Sequence, residues 1–156
     1  MKTSDNDAER WLLGALLTSP KLALAGSARA GLWPSQFSSH RFGDLYARIQ
    51  RAHGQHQALE ELASPDVPYY ELLALQVAFG EAAEKGRDKD FARFIERKLQ
   101  DGIAEPMPNT PLDVTAYSLA KRIVACAMAR RKIMEAEALA SGVGEAARPA
   151  FGGVKL

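Results

Sequence analysis

An all-α, single-domain helical bundle of about six helices, closed by a long C-terminal helix, is what this sequence predicts, on three observations. Residues 7–17, Asp-Ala-Glu-Arg-Trp-Leu-Leu-Gly-Ala-Leu-Leu, join a helix-start signature to a run that is apolar on almost every side. Apolar residues recur at three- and four-residue intervals along most of the chain, punctuated by Pro and Gly, and no stretch alternates as a strand does. The length of 156 residues suits one domain, able to bury roughly two thirds of its unfolded surface without metal or disulfide support. Residues 1–141 read as the helical domain and residues 142–156 as a flexible tail.

The first helix opens at Asn6, which is placed to cap it, with Glu9 three residues on returning a hydrogen bond as in a capping box. Ala8, Trp11, Leu12 and Ala15 make one stripe while Leu13 and Leu17 cover the other side, so two layers must pack on this helix, with Trp11 at the heart of the core. Residues 20–31 follow as a short Ala- and Leu-rich helix, and Trp33, beside Pro34, reads as a second core anchor. Phe42, Leu45, Tyr46 and Ile49 give the i, i+3, i+4, i+7 pattern of a third helix, with Gly54 as its stop. Asp66 is placed to cap a helix carrying Pro68 in its first turn, whose apolar face is Tyr69, Leu72, Leu73 and Phe79 and which ends at Gly86. Phe91, Phe94, Ile95 and Leu99 form the next face, with Asp88 and Asp90 toward its amino-terminal dipole and Gly102 at its end. Pro106, Pro108 and Pro111 force residues 105–111 into an extended connector. The last helix runs from Asp113 or Thr115 to Ser141, capped by Gly142.

Composition narrows the function. With 47% hydrophobic and 25% charged residues the chain is an ordinary globular one. Its 20 Lys and Arg against 19 Asp and Glu lack the basic excess of a strong nucleic-acid binder. The single cysteine, Cys126, excludes an internal disulfide and fits a reducing cytoplasm. No apolar run approaches the ~20 residues that span a bilayer, and the amino terminus has no secretory pattern. No membrane role is expected.

Motifs for chemistry are thin. Residues 26–31, Gly-Ser-Ala-Arg-Ala-Gly, have the glycine spacing of a phosphate loop, but Leu32-Trp33 stand where Lys and Ser or Thr must follow to hold phosphate and magnesium. His53 and His56 lie at a helix end without a neighbouring Cys or carboxylate, and read as a solvent-exposed pair rather than metal ligands. Cys126 falls in an apolar stripe with no His beside it, so it reads as a buried small side chain with a raised pKa. Glu60-Glu61 lie on a solvated face. No catalytic, cofactor-binding or metal-binding residue is assigned.

The last helix carries most of the functional information. Leu119, Ile123, Cys126, Ala127, Ile133 and Met134 make a core-facing stripe that Arg130 interrupts. A second apolar stripe, Tyr117, Val124, Met128 and Leu139, lies about 120–160° away at 100° per residue. One stripe suffices for a domain's own core, so the second needs another helix of the same domain or a partner. Tyr117, Val124, Met128, Arg131 and Leu139 are therefore the candidate partner-binding residues, and a homodimer or higher oligomer is expected. Lys121, Arg122, Arg130, Arg131 and Lys132 spread around the helix instead of lining one side, and Arg131 is spaced to pair with Glu135, which favours a solvated or partner-facing role over phosphate binding.

Several of these segments together resemble the amino-terminal domain of DnaB-type replicative helicases. The carriers are residues 7–17, with their acidic-Ala-Glu start and Leu-Gly-Ala-Leu-Leu run; residues 32–49, with Trp33-Pro34-Ser35-Gln36-Phe37 and His40-Arg41-Phe42 opening a helix; and residues 117–136, with a Tyr start, Arg122-Ile123-Val124 and the cluster Arg130-Arg131-Lys132. The likeness covers residues 7–56 and 116–140; the middle departs from it, keeping only a partial Leu59-Glu60-Glu61-Leu62 segment. It implies a non-catalytic protein-interaction module in DNA replication that binds, recruits or modulates a replicative helicase or primase, from a mobile element or phage, or as a helicase fragment lacking its motor. A helical DNA-binding regulator is the alternative, although the connector at 105–111 is too long for a helix-turn-helix turn.

Overall fold

The computed structural model describes residues 2–85 and 112–141. Among them the protein is all-α: α1 (Asn6–Thr18), α2 (Pro20–Arg29), a 3-10 turn (Pro34–Gln36), α3 (His40–Arg51), α4 (Leu59–Leu62), α5 (Tyr69–Lys85) and a long α6 (Leu112–Ser141), with no strand. The expected helix over 88–102, the connector at 105–111, the Gly142 cap and the tail lie outside the described residues.

α1 is the centre of the bundle because it is apolar nearly all round. Ala8, Leu12, Leu13, Ala15, Leu16 and Leu17 are all buried, and the helix touches α2, α3, α5 and α6. Its cap is Asp5, not Asn6: Asp5 Oδ1 accepts from the Ala8 N–H at 3.1 Å. Tertiary charge chooses between the two adjacent capping side chains, since Asp5 Oδ2 also receives Arg122 Nε at 2.9 Å and Lys2 Nζ at 3.3 Å. Glu9 likewise leaves the capping role. Buried on α1, its carboxylate accepts from the Ser38 N–H at 3.0 Å, the Ser38 hydroxyl at 2.6 Å and the Ser39 N–H at 3.3 Å, fixing the loop that launches α3.

The two tryptophans depart from the expected core role. Trp11 is half-buried, its ring 6.5 Å from Phe79 and tilted against it, while Leu12, Leu13 and Leu16 occupy the centre. Trp33 is 68% exposed. Its turn is held by a polar contact, the Trp33 N–H donating to Gln36 Oε1 at 2.7 Å, so the ring need not be buried to fix the chain. Trp33→Ala is therefore expected to change stability by less than about 0.5 kcal/mol. Trp11→Ala is expected to cost about 2 kcal/mol, below the range for a fully buried ring. Urea titration followed by circular dichroism separates them, and equal midpoints for the two variants would contradict the burial pattern.

α2 begins at Pro20, whose missing N–H is harmless in a first turn. It ends in a Schellman closure, with Gly31 at φ +75°, Leu32 N–H bonded to the Ser27 carbonyl and Gly31 N–H to that of Ala28. Its Gly26 lies directly against α6: a Cβ there would overlap the Asp113 carbonyl oxygen and stand 2.9 Å from Tyr117 N. The α3 quartet is as expected, with Phe42, Leu45, Tyr46 and Ile49 buried; the Tyr46 hydroxyl, its pKa raised by burial, donates to Ser27 Oγ at 2.8 Å. α5 turns Leu72, Leu75 and Phe79 inward, at i, i+3 and i+7, and leaves Tyr69 and Leu73 exposed, which corrects the expected face. Arg41 of α3 ties its start, pairing with Glu71 at 2.5 Å and donating to the Asp66 carbonyl.

Candidate functional site

α6 divides in two. Over its first eighteen residues it completes the bundle, burying Thr115, Ala116, Leu119, Ala120, Ile123, Cys126 and Ala129 against α1 and α2. Small residues at these positions let the helix approach α2 closely. Cys126 is buried as expected; burial first, and then the Asp5 carboxylate, push its thiol pKa up, which makes it a poor nucleophile.

Arg130 marks the end of that packing. By helical projection it occupies the centre of the buried stripe, where an apolar residue would otherwise continue the core. Its guanidinium instead donates to the carbonyls of Thr3 and Gln36, each at 2.7 Å, and so ties the amino terminus and the 3-10 turn to α6. Beyond it, every residue from 131 to 141 is exposed except the half-buried Ala138.

The expected partner residues separate along this division. Tyr117 is half-buried under α2, with the Arg29 guanidinium 5.5 Å and Lys121 Nζ 5.8 Å from its ring centre. Val124 is half-buried against the core. These two are used within the bundle, so a charge at Val124 would probe folding rather than association. Met128 (55% exposed) and Leu139 (61%) face solvent, as does Arg131. Ile133 and Met134, expected in the core stripe, are exposed too, Met134 at 69%, because the core ends before them. The signal that could have placed them was Arg130 itself, a cation in mid-stripe.

Two grooves flank the exposed part of α6, with Met128 as the ridge between them. One, about 470 Å³, lies between α6 and the 3-10 turn and is lined by Ser35, Gln36, Met128, Arg131, Met134 and Glu135. The other, of similar volume, is lined by Lys2, Asp5, Arg122, Cys126, Met128 and Lys132. The expected Arg131–Glu135 ion pair within the helix is not formed; both side chains face solvent. His53 and His56 are exposed in the turn after α3, where His53 (φ 53°) and Gly54 (φ 83°) take left-handed conformations. Glu60 and Glu61 are exposed, as expected. No helix among the described residues is long and apolar enough to cross a membrane.

No known protein family, curated protein or solved structure matches the chain. Three segments carry the resemblance to helicase amino-terminal domains expected from the sequence. Of these, the first lies on α1, the second on the 3-10 turn and α3, and the third on α6.

Proposed function

We propose that the protein is a non-catalytic, cytoplasmic interaction module of DNA replication, which contacts a replicative helicase or primase and self-associates through the free end of α6. The observation that carries this reading is the exposed apolar set Met128, Ile133, Met134 and Leu139 on a helix that continues past its own core. Apolar side chains gathered on one protruding element gain by burial against another protein, roughly 25 cal/mol for each Å² removed from water. The three resembling motifs add the replication context. Arg122 and Arg130 are engaged by Asp5 and by backbone carbonyls, which leaves three of the five cations on α6 in a chain of nearly balanced charge, a small set for phosphate that disfavours a DNA-binding regulator.

The test is direct binding of the purified chain to purified bacterial replicative helicase and to primase, by calorimetry, beside random duplex DNA at physiological salt. Micromolar binding to one of the two proteins, lost in Met128→Asp/Met134→Asp with helical content unchanged, is expected. Binding to neither protein at roughly 100 μM, or duplex binding tighter than about 1 μM, would sink the reading.

A further inference from the structure

We infer that the groove between α6 and the amino-terminal segment is a docking site for an acidic amphipathic helix of a partner protein. This goes beyond the free end of α6 and does not depend on which protein that end contacts.

The trough follows from residue size. At 100° per residue, Arg122, Ala125, Cys126, Ala129 and Lys132 fall within about 120° of one another on α6. Three small residues thus lie between two long cations. Lys2 and Asp5 line the groove from the amino-terminal segment and Met128 bounds it on α6, enclosing about 470 Å³. Cys126 and Ala129 are buried beneath it, while Ala125 is exposed.

Charge then selects the occupant. Three cations, Lys2, Arg122 and Lys132, line the groove against one carboxylate, Asp5. Asp5 is buried and already holds both Arg122 and Lys2, so it cancels one charge and leaves an excess of two however the pairs are drawn. Lys132 is exposed and forms no ion pair among the described residues. A partner that fits must bring carboxylates for the cations and apolar side chains for the trough. A phosphate backbone or a small anion supplies the first without the second, and a wholly apolar segment would strip water from the cations without pairing them. An amphipathic helix presents both on one side. Arg122 and Lys132 stand ten residues apart in sequence, about 15 Å along α6, so the matching carboxylates lie about ten or eleven residues apart on the partner, with apolar side chains between them.

Two labelled synthetic peptides of about sixteen residues, equal in alanine, leucine and glutamate content, test this with the full-length chain by fluorescence anisotropy. In one, two glutamates flank the leucines on the same side of the helix; in the other they are moved to the opposite side. The first is expected to bind with a Kd on the order of 10–50 μM and the second at least tenfold more weakly. Lys132→Glu should weaken the first peptide at least tenfold, and Ala125→Trp, which fills the trough without altering charge, should do the same. Both positions are exposed, so circular dichroism should be unchanged. Lys21→Glu makes the same charge change at an exposed site on α2 and should leave binding within about threefold of wild type at physiological salt. No binding of the first peptide at roughly 500 μM, equal binding of the two peptides, or a Lys132→Glu or Ala125→Trp variant that binds like wild type each overturns the docking site. So does a loss in Lys21→Glu as large as that in Lys132→Glu, since the peptide would then answer to net charge alone. Neither helicase nor primase enters this assay, so its failure leaves the replication reading standing, and a chain that binds the peptide but neither protein overturns that reading alone.

Discussion

Glu9→Ala is expected to lower stability by about 3 kcal/mol, a large share of the roughly 5–15 kcal/mol that holds a typical domain. Three donors converge on this carboxylate: the Ser38 N–H, the Ser38 hydroxyl and the Ser39 N–H. Hydrogen bonds to a charged group contribute about 1.5–3 kcal/mol each, but Ser38 is solvent-exposed and water can replace part of the loss, so the sum is discounted. Glu9 itself is 1% exposed, and its removal also leaves a hole against α1. Glu9→Gln keeps the volume and loses the charge assistance, so about half the effect should remain. Urea titration by circular dichroism reads both. An unchanged midpoint for Glu9→Ala would mean that the loop before α3 is positioned without it.

Gly26→Val is expected to cost about 3 kcal/mol for the opposite reason, an atom added where none fits. The new side chain would enter the space of the Asp113 carbonyl and the Tyr117 N–H, and these backbone groups of α6 cannot swing aside as a flexible side chain can. Overpacking of this kind costs about 1–3 kcal/mol and occasionally more, against a helix-propensity gain below about 1 kcal/mol from replacing glycine. Separation of α2 from α6 also pulls Arg29 from Asp113, now 3.3 Å away, and from the Tyr117 ring. Gly26→Ala should show a smaller loss of the same sign. A stabilised alanine variant would mean that the helix contact opens without cost.

What was legible in the sequence is what local periodicity encodes. The α3 quartet Phe42, Leu45, Tyr46 and Ile49 was legible because that helix buries one side only, and α1 because a helix apolar all round has nowhere else to go. The long last helix was legible from its unbroken helical pattern, although it begins at Leu112, just before the expected Asp113 or Thr115. Other features turn on partners distant in sequence. Asp5 displaced Asn6 as cap because Arg122, 117 positions away, joins it. Glu9 faces Ser38, 29 positions on, and no spacing rule predicts that. Periodicity alone also cannot say where a stripe stops being core, so Ile133 and Met134 were assigned to the interior when Arg130 had already closed it. Of the candidate site, Met128, Arg131 and Leu139 were legible as outward-facing positions; Tyr117 and Val124 were not, because their cover comes from α2 and the core.

The contacts of α6 with α1 and the amino-terminal segment also govern how the chain is made. Arg130 reaches Thr3 across 127 positions and Arg122 reaches Asp5 across 117, so the bundle closes by joining its two ends. During synthesis α1, the centre of the bundle, emerges before the other helices and must wait for residues 116–129 before one of its flanks is covered. At roughly 5–20 residues per second that wait lasts on the order of ten seconds, long compared with the microseconds a helix takes to form. Until then α2, α3 and α5 can already pack on α1, and the one flank that faces α6 is the last part of the core to close.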